Sequence, residues 1–229
     1  MEKGFTLAEV LITLVVIGVI AAMTIPTLIN KTNEQETITS LKKTYSIMGQ
    51  AYQKVISENG EIIPSELGSN EREATQKFGE MMAKHLSVAK NCGLSTNEDC
   101  LAQGTYRYFN GAVWYDLNSL NDYYKLRLND GTSFLTKANN NYISAFQGVN
   151  DQMDHIFAFV SVDVNGDKGP NTLGKDYFNF YVTKYGILPV GTPADGEAPL
   201  SGCRVLGNGC TAWAIIKGNM DYLRKEVSW

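Results

Sequence analysis

From Phe5 to Ile29 the chain runs for 25 residues without a Lys, Arg or Asp, and its only formal charge is Glu9. A helix needs roughly 20 apolar residues to cross a bilayer core about 30 Å thick, so this run predicts a membrane-length helix. Beyond it the pattern becomes amphipathic. Ile38, Leu41, Tyr45, Met48, Tyr52 and Val55 recur in steps of three and four, with Glu34, Glu36, Lys42, Lys43 and Lys54 off that face. Glu58-Asn59-Gly60 then supplies a stop, because Asn and Gly readily take the left-handed conformation that closes helices. A continuous helix from Phe5 to Ser57 would measure on the order of 80 Å at about 1.5 Å per residue. Pro26 removes one backbone donor and predicts a kink or local unwinding, and Gly18 permits either bending or close helix packing.

After a polar loop at 61–69, Asn70 and Glu73 have capping-box spacing ahead of Ala74, Phe78, Met81, Met82, His85 and Ala89, which predicts a second, shorter helix. His85 lies on or beside its apolar face and reads as a structural residue. The period then changes to that of strands. Asn110-Gly111 separates two β-prone runs within Tyr106–Tyr115, and Asp130-Gly131 separates Tyr123–Leu128 from Thr132–Thr136, both strong hairpin signals. His155–Asp163 and Tyr177–Tyr185 read as further strands. The fold class is therefore α+β: a long N-terminal α-helix, hydrophobic in its first half, packed on a mainly antiparallel β-sheet head.

Composition narrows the partners. The chain has 229 residues, 44% of them hydrophobic and 19% charged, which is the profile of one folded body with an appendage. A net charge of −4 offers no general attraction to phosphate backbones, so nucleic acid is disfavoured. The four cysteines fall as two close-spaced pairs, Cys92 with Cys100 and Cys203 with Cys210. An exported domain can close each as a local disulfide, although four cysteines allow three connectivities. With two histidines, and with Gly-x-Ser-x-Gly, Gly-x-x-x-x-Gly-Lys and His-Glu-x-x-His all absent, the sequence reads as structural rather than enzymatic.

Glu9 decides among readings of the apolar run. A secretory signal has a shorter apolar region, commonly about 7–15 residues. A plain single-span anchor gives no reason for a carboxylate that costs a few kcal/mol in lipid. The stretch Gly4-Phe5-Thr6-Leu7-Ala8-Glu9-Val10-Leu11-Ile12 resembles the processing motif of type IV pilins and type II secretion pseudopilins. That resemblance implies a leader of residues 1–4, cut between Gly4 and Phe5 by a prepilin peptidase, and N-methylation of Phe5. It implies a helix over 5–58, with 5–29 as membrane span and later filament core, and a pilin-like globular head over 59–229. Glu9 would pair with the N-terminal amine of a neighbouring subunit, and Pro26 matches a proline common in such helices. The partners implied are further copies of the chain, other pilins or pseudopilins, the peptidase/methyltransferase and an inner-membrane assembly platform. The location implied is the inner membrane first and a surface or periplasmic filament afterwards. The Gly202–Leu223 tail resembles, less specifically, the disulfide-bounded close of many pilin-like heads. The alternative reading is a membrane-tethered, exported binding protein that uses the same anchor without polymerising.

One loop of the head carries candidate chemistry. Asp163, Asn165 and Asp167 have the alternation that opens an EF-hand loop, and Asn171 and Asp176 add oxygen side chains further along the same loop. Lys168 stands where such a loop needs Gly and Gly174 where it needs a bidentate Glu, so a helix-loop-helix hand is excluded. A strand-flanked calcium loop and a metal-free Asx- and Gly-rich turn both fit these residue types. Major pseudopilins of type II secretion carry calcium in the head, so the resemblance admits calcium here.

Overall fold

The computed structural model describes residues 6–96, 98–142, 155–196 and 198–229. Its first element is the helix α1, Leu7–Asn59, which passes through Pro26 with no break in helical assignment. The unwinding expected there is absent. The Thr24 and Thr27 hydroxyls beside it donate to the carbonyls of Ile20 and Met23, not to that of Ala22, the one for which Pro26 has no N–H. Tertiary contacts divide the chain into a unit ending at Glu36 and a second spanning Thr37–Trp229.

Among the described residues of the first unit the large apolar side chains are exposed, and Leu7, Ile12, Met23 and Leu28 all expose more than half their surface. In the second unit α1 buries Ile38, Leu41, Thr44, Met48, Ala51, Tyr52 and Val55, the stripe that its 3.6-residue period selects. The helix ends as the sequence predicts. Gly60 takes φ +79°, and its N–H donates to the Ile56 carbonyl at 2.8 Å.

A one-turn helix α2, Pro64–Leu67, interrupts the expected loop, and α3 follows at Glu71–Ala83. Its N-terminus is a capping box: Asn70 Oδ1 accepts from the Glu73 N–H at 3.0 Å, and the Glu73 carboxylate accepts from the Ser69 N–H at 2.9 Å. Six antiparallel strands then form a meander in sequence order: β1 Val88–Gly93, β2 Tyr124–Leu128, β3 Ser133–Ala138, β4 Ile156–Asp163, β5 Tyr177–Thr183 and β6 Gly186–Pro189. The short helix α4, Cys210–Lys217, completes the head.

One expectation changes. The helix pattern ends at Ala83 rather than continuing through Ala89, and the residues from Val88 instead pair with β2 as an edge strand. The Asn110-Gly111 hairpin forms as a short one: the Tyr108 N–H donates to the Ala112 carbonyl, the Trp114 N–H to Tyr106 and the Tyr106 N–H to Tyr115, around the antiparallel Arg107–Val113 bridge. Trp114 and Tyr108 are engaged with each other, and Trp114 packs edge-on against Tyr177 at 5.5 Å, so side-chain packing accompanies the backbone pairing.

The sheet has two differently covered faces. Leu126, Phe134, Val160, Val162, Phe178 and Phe180 lie on one face and join α1 and α3 in the main core. Tyr52 of α1 donates its hydroxyl to the Thr183 carbonyl at 2.7 Å, and Tyr45 stacks on Phe180 with centroids 5.5 Å apart. Gly79 of α3 sits so close to Tyr124 that a Cβ there would overlap the ring. The opposite face carries Leu135 and Tyr177, covered by Leu101, Ala102, Tyr106, Leu117 and Leu173. Beneath that cover Lys125 is buried, its ammonium satisfied by the Ser95 and Leu120 carbonyls, and burial pushes its pKa down.

Both local disulfides form, Cys92–Cys100 and Cys203–Cys210. Each closes a short loop, for which chain entropy gives about 2–3 kcal/mol. Replacing Cys92 and Cys100 together with Ser is expected to lower the unfolding free energy by about that amount, read from the urea midpoint of the full chain in detergent.

Candidate functional site

Two regions hold the residues that the sequence singles out. In the head, β4 ends at Asp163, whose side chain is fully buried. Its Oδ2 accepts from the Tyr106 hydroxyl at 2.8 Å, and its Oδ1 accepts from the N–H groups of Asn165 and Gly166 at 3.2 and 3.1 Å. Asp176, just before β5, is also buried and accepts from the Thr172 N–H at 2.7 Å and the Asn171 N–H at 2.8 Å. Burial, reinforced by the neighbouring Asp176 charge, pushes the Asp163 carboxyl up to about 7, and burial raises Asp176 as well.

The remaining loop residues divide. Asn165 reaches Asp176 Oδ2 with its amide nitrogen at 3.3 Å, and Asn171 is held to the same carboxylate through its backbone. Asp167 turns away: its carboxylate is exposed and meets the Arg127 guanidinium at 2.6 Å. Asp163, Asn165, Asn171 and Asp176 are therefore brought together, and Asp167 is not. Sequence reasoning missed Tyr106, Ser133 and Tyr177. The last two are the direct cross-strand neighbours of Asp163 on β3 and β5. Only sheet register reveals them. Among the described residues no group of three or more His, Cys, Asp and Glu side chains gathers in metal-binding fashion.

At the other end of the chain, Thr6 caps α1. Its N–H and hydroxyl both donate to Glu9 Oε2, at 2.9 and 2.8 Å, while the Glu9 N–H donates to the Thr6 hydroxyl at 3.3 Å. That reciprocal pattern is a capping box, a Thr at the cap and a Glu three residues on. Glu9 thus has a local task that the sequence reading did not foresee, and both Thr6 donors use the same carboxylate oxygen. Gly4 and Phe5 lie outside the described residues.

Residues 1–25 match the family model of the prokaryotic N-terminal methylation motif. The chain carries the type IV pilin and pseudopilin signature. No curated protein and no solved structure matches it. The pilin signature ends before the amphipathic half of α1, so the head stands on its own geometry. Together they give the pilin-like α+β arrangement expected, an apolar N-terminal helix followed by a six-stranded antiparallel head.

Within the signature, Glu9 and Pro26 occupy very different surroundings from the loop in the head. Both are on α1 in the unit that ends at Glu36, where no described residue is buried. By length and composition α1 is apolar enough to cross a membrane, which fits an inner-membrane anchor for a pilin before assembly.

Proposed function

We propose that this chain is a structural pilin-type subunit that assembles through α1 into a type IV pilus or a type II secretion filament. The observation that carries the reading is the methylation motif continuing into the apolar first half of α1, whose described large side chains are exposed. Leaving a Val, Leu, Ile or Met side chain in water rather than burying it costs roughly 1.5–3 kcal/mol. Large apolar side chains recur on every side of this helix from Leu7 to Ile29, so it needs lipid or other helices around it.

In this reading residues 1–4 are the leader, and a prepilin peptidase cuts between Gly4 and Phe5 and methylates the new terminus. Residues 5–29 hold the subunit in the inner membrane, and an assembly platform then moves them into the core of a filament of this chain and other pilins. There the Glu9 carboxylate meets the amine of a neighbouring Phe5. Two opposite charges neutralise each other where either alone is costly, and a subunit out of register leaves both unpaired. Glu9 then acts as a registry device, and the chain's work is mechanical rather than catalytic.

Processing is tested by intact mass and N-terminal peptide analysis. Coexpression with a prepilin peptidase is expected to give a chain beginning at methylated Phe5, and Gly4→Val is expected to retain the leader. A chain beginning at Met1 in both, or cut near Ala22, would contradict the reading in favour of an ordinary anchor or signal.

A further inference from the structure

A cleft of about 700 Å³ opens on the head between the first turns of α3 and the turn that leaves β1. Arg72, Glu73 and Gln76 form one wall, and Gly93, Leu94 and Ser95 form the other. Its size falls within the roughly 300–1,000 Å³ of small-ligand sites. The methylation motif ends at residue 25, far from this cleft in sequence, and assembly through α1 gives the cleft no task.

Both walls are held in place by contacts outside the cleft. On α3 the Arg72 guanidinium donates to the Asn121 carbonyl through Nη1, and Glu73 closes the capping box with Ser69 and Asn70. Across the cleft the Cys92–Cys100 disulfide pins the turn, in which the Ser95 N–H donates to the Cys92 carbonyl at 3.0 Å. The buried Lys125 ammonium donates to the Ser95 carbonyl, also at 3.0 Å. Burying an ammonium is costly, and here it fixes the position of a wall. Side chains ordered before a ligand arrives lose little entropy when it binds.

The hydrogen-bonding groups left over are of both kinds. Glu73 spends Oε2 on Ser69 and leaves Oε1 free, and Gln76 donates its amide nitrogen to the Glu80 carboxylate and leaves its own Oε1 free. Turning that amide over would set oxygen against oxygen, so the free atom is the acceptor. Among the described residues Arg72 uses only Nη1 of its fork. The charges of Arg72 and Glu73 are opposite, and Glu80 stands beside Gln76, so the wall has no positive excess to attract a polyanion. Leu94 is the one large apolar residue of the lining, too little to anchor the side chains of a peptide.

We propose that this cleft binds a neutral oligosaccharide, whose hydroxyls accept from Arg72 and donate to Glu73 and Gln76 while a C–H face of one ring rests on Leu94. A sugar hydroxyl, like that of Ser or Thr, donates once and accepts twice. It therefore matches a wall that sets a guanidinium fork beside a carboxylate and an amide oxygen. The inference does not depend on whether α1 polymerises.

The test uses the full chain in a detergent without a sugar headgroup, titrated in a calorimeter with maltotriose, cellotriose and chitotriose in turn. At least one of the three is expected to bind with one equivalent and to raise Tm, since a ligand of the folded state alone stabilises it by mass action. Arg72→Ala is expected to weaken that binding by at least about tenfold, the loss typical of a hydrogen bond to a charged group. Glu73→Gln keeps the capping box, because Gln serves at that position as Glu does, and is expected to weaken binding with the ligand-free Tm unchanged. Lys84→Ala, outside the cleft, is expected to bind as the wild type does. Absence of heat and of a Tm change with all three sugars at about 10 mM, tenfold above a millimolar Kd, overturns the proposal. Wild-type affinity in both Arg72→Ala and Glu73→Gln would overturn the assignment to this cleft, and tighter binding of a sulfated oligosaccharide would overturn the choice of a neutral ligand.

Discussion

Glu9→Gln is expected to reduce filament yield by at least about tenfold while leaving membrane insertion and head folding intact. The substitution separates the cap that Glu9 makes with Thr6 from the pairing proposed for its charge. Gln serves at the third position of a capping box as Glu does, so the helix start at Thr6 is retained. Only the charge is lost. In an assembled core the Phe5 amine would then be buried without its counter-charge, and breaking a buried pair costs about 3–5 kcal/mol. Each 1.4 kcal/mol is about tenfold in an equilibrium constant, so the loss at a single subunit contact exceeds tenfold. Glu9→Val removes charge and cap together and is expected to be no better than Glu9→Gln. Filament counts by electron microscopy, beside membrane-fraction immunoblots, read both quantities. Wild-type yield from Glu9→Gln would show that Glu9 acts only as a cap.

The second large effect lies in the head. Phe78→Ala is expected to lower the unfolding free energy by about 3–5 kcal/mol, the range for deleting a buried aromatic ring. Phe78 is fully buried where three elements meet: its ring packs edge-on against Tyr52 of α1 at 6.5 Å and against Phe157 of β4 at 5.4 Å. Removing it leaves a cavity that α3 cannot fill by moving inward, because Gly79 already touches Tyr124 with no space between. A loss of that size is a large part of the roughly 5–15 kcal/mol that stabilises a typical domain. Urea unfolding of the full chain in detergent measures it. A change under about 1 kcal/mol would mean that the core around α3 relaxes freely, contrary to this packing.

Much of this architecture can be read locally. The Ile38–Val55 stripe follows from helical period alone, the Asn70–Glu73 box marks the start of α3, and Asp130-Gly131 gives the β2–β3 turn with Gly131 at φ +88°. What cannot be read locally depends on partners distant in sequence. The strand β1 is mostly exposed and polar, and its extended form is imposed by pairing with β2 through two register irregularities. The Tyr106–Tyr115 segment forms the hairpin that its signal predicts, but the packing of its aromatics on the face of the sheet that bears Tyr177 is visible only in the fold. In the head loop the spacing of Asp163, Asn165 and Asp176 is visible in sequence. Arg127, which draws Asp167 out of the loop, and Tyr106, which enters from the segment after the first disulfide, are visible only in the fold. Glu9 shows the reverse: its cap with Thr6 follows from the local Thr-x-x-Glu spacing alone.

Cross-linking between N-terminal helices in intact cells tests the central claim most directly. A single Val16→Cys substitution places a reactive thiol on the exposed apolar stretch of α1, while the four native cysteines are held in disulfides. With a membrane-permeant bismaleimide and an active prepilin peptidase, the account predicts dimers carrying α1 joined to α1, lost when Glu9→Gln is added or the peptidase is inactivated. Monomer alone under all conditions, with the head displayed singly, would contradict assembly and leave a tethered protein that borrows a pilin anchor.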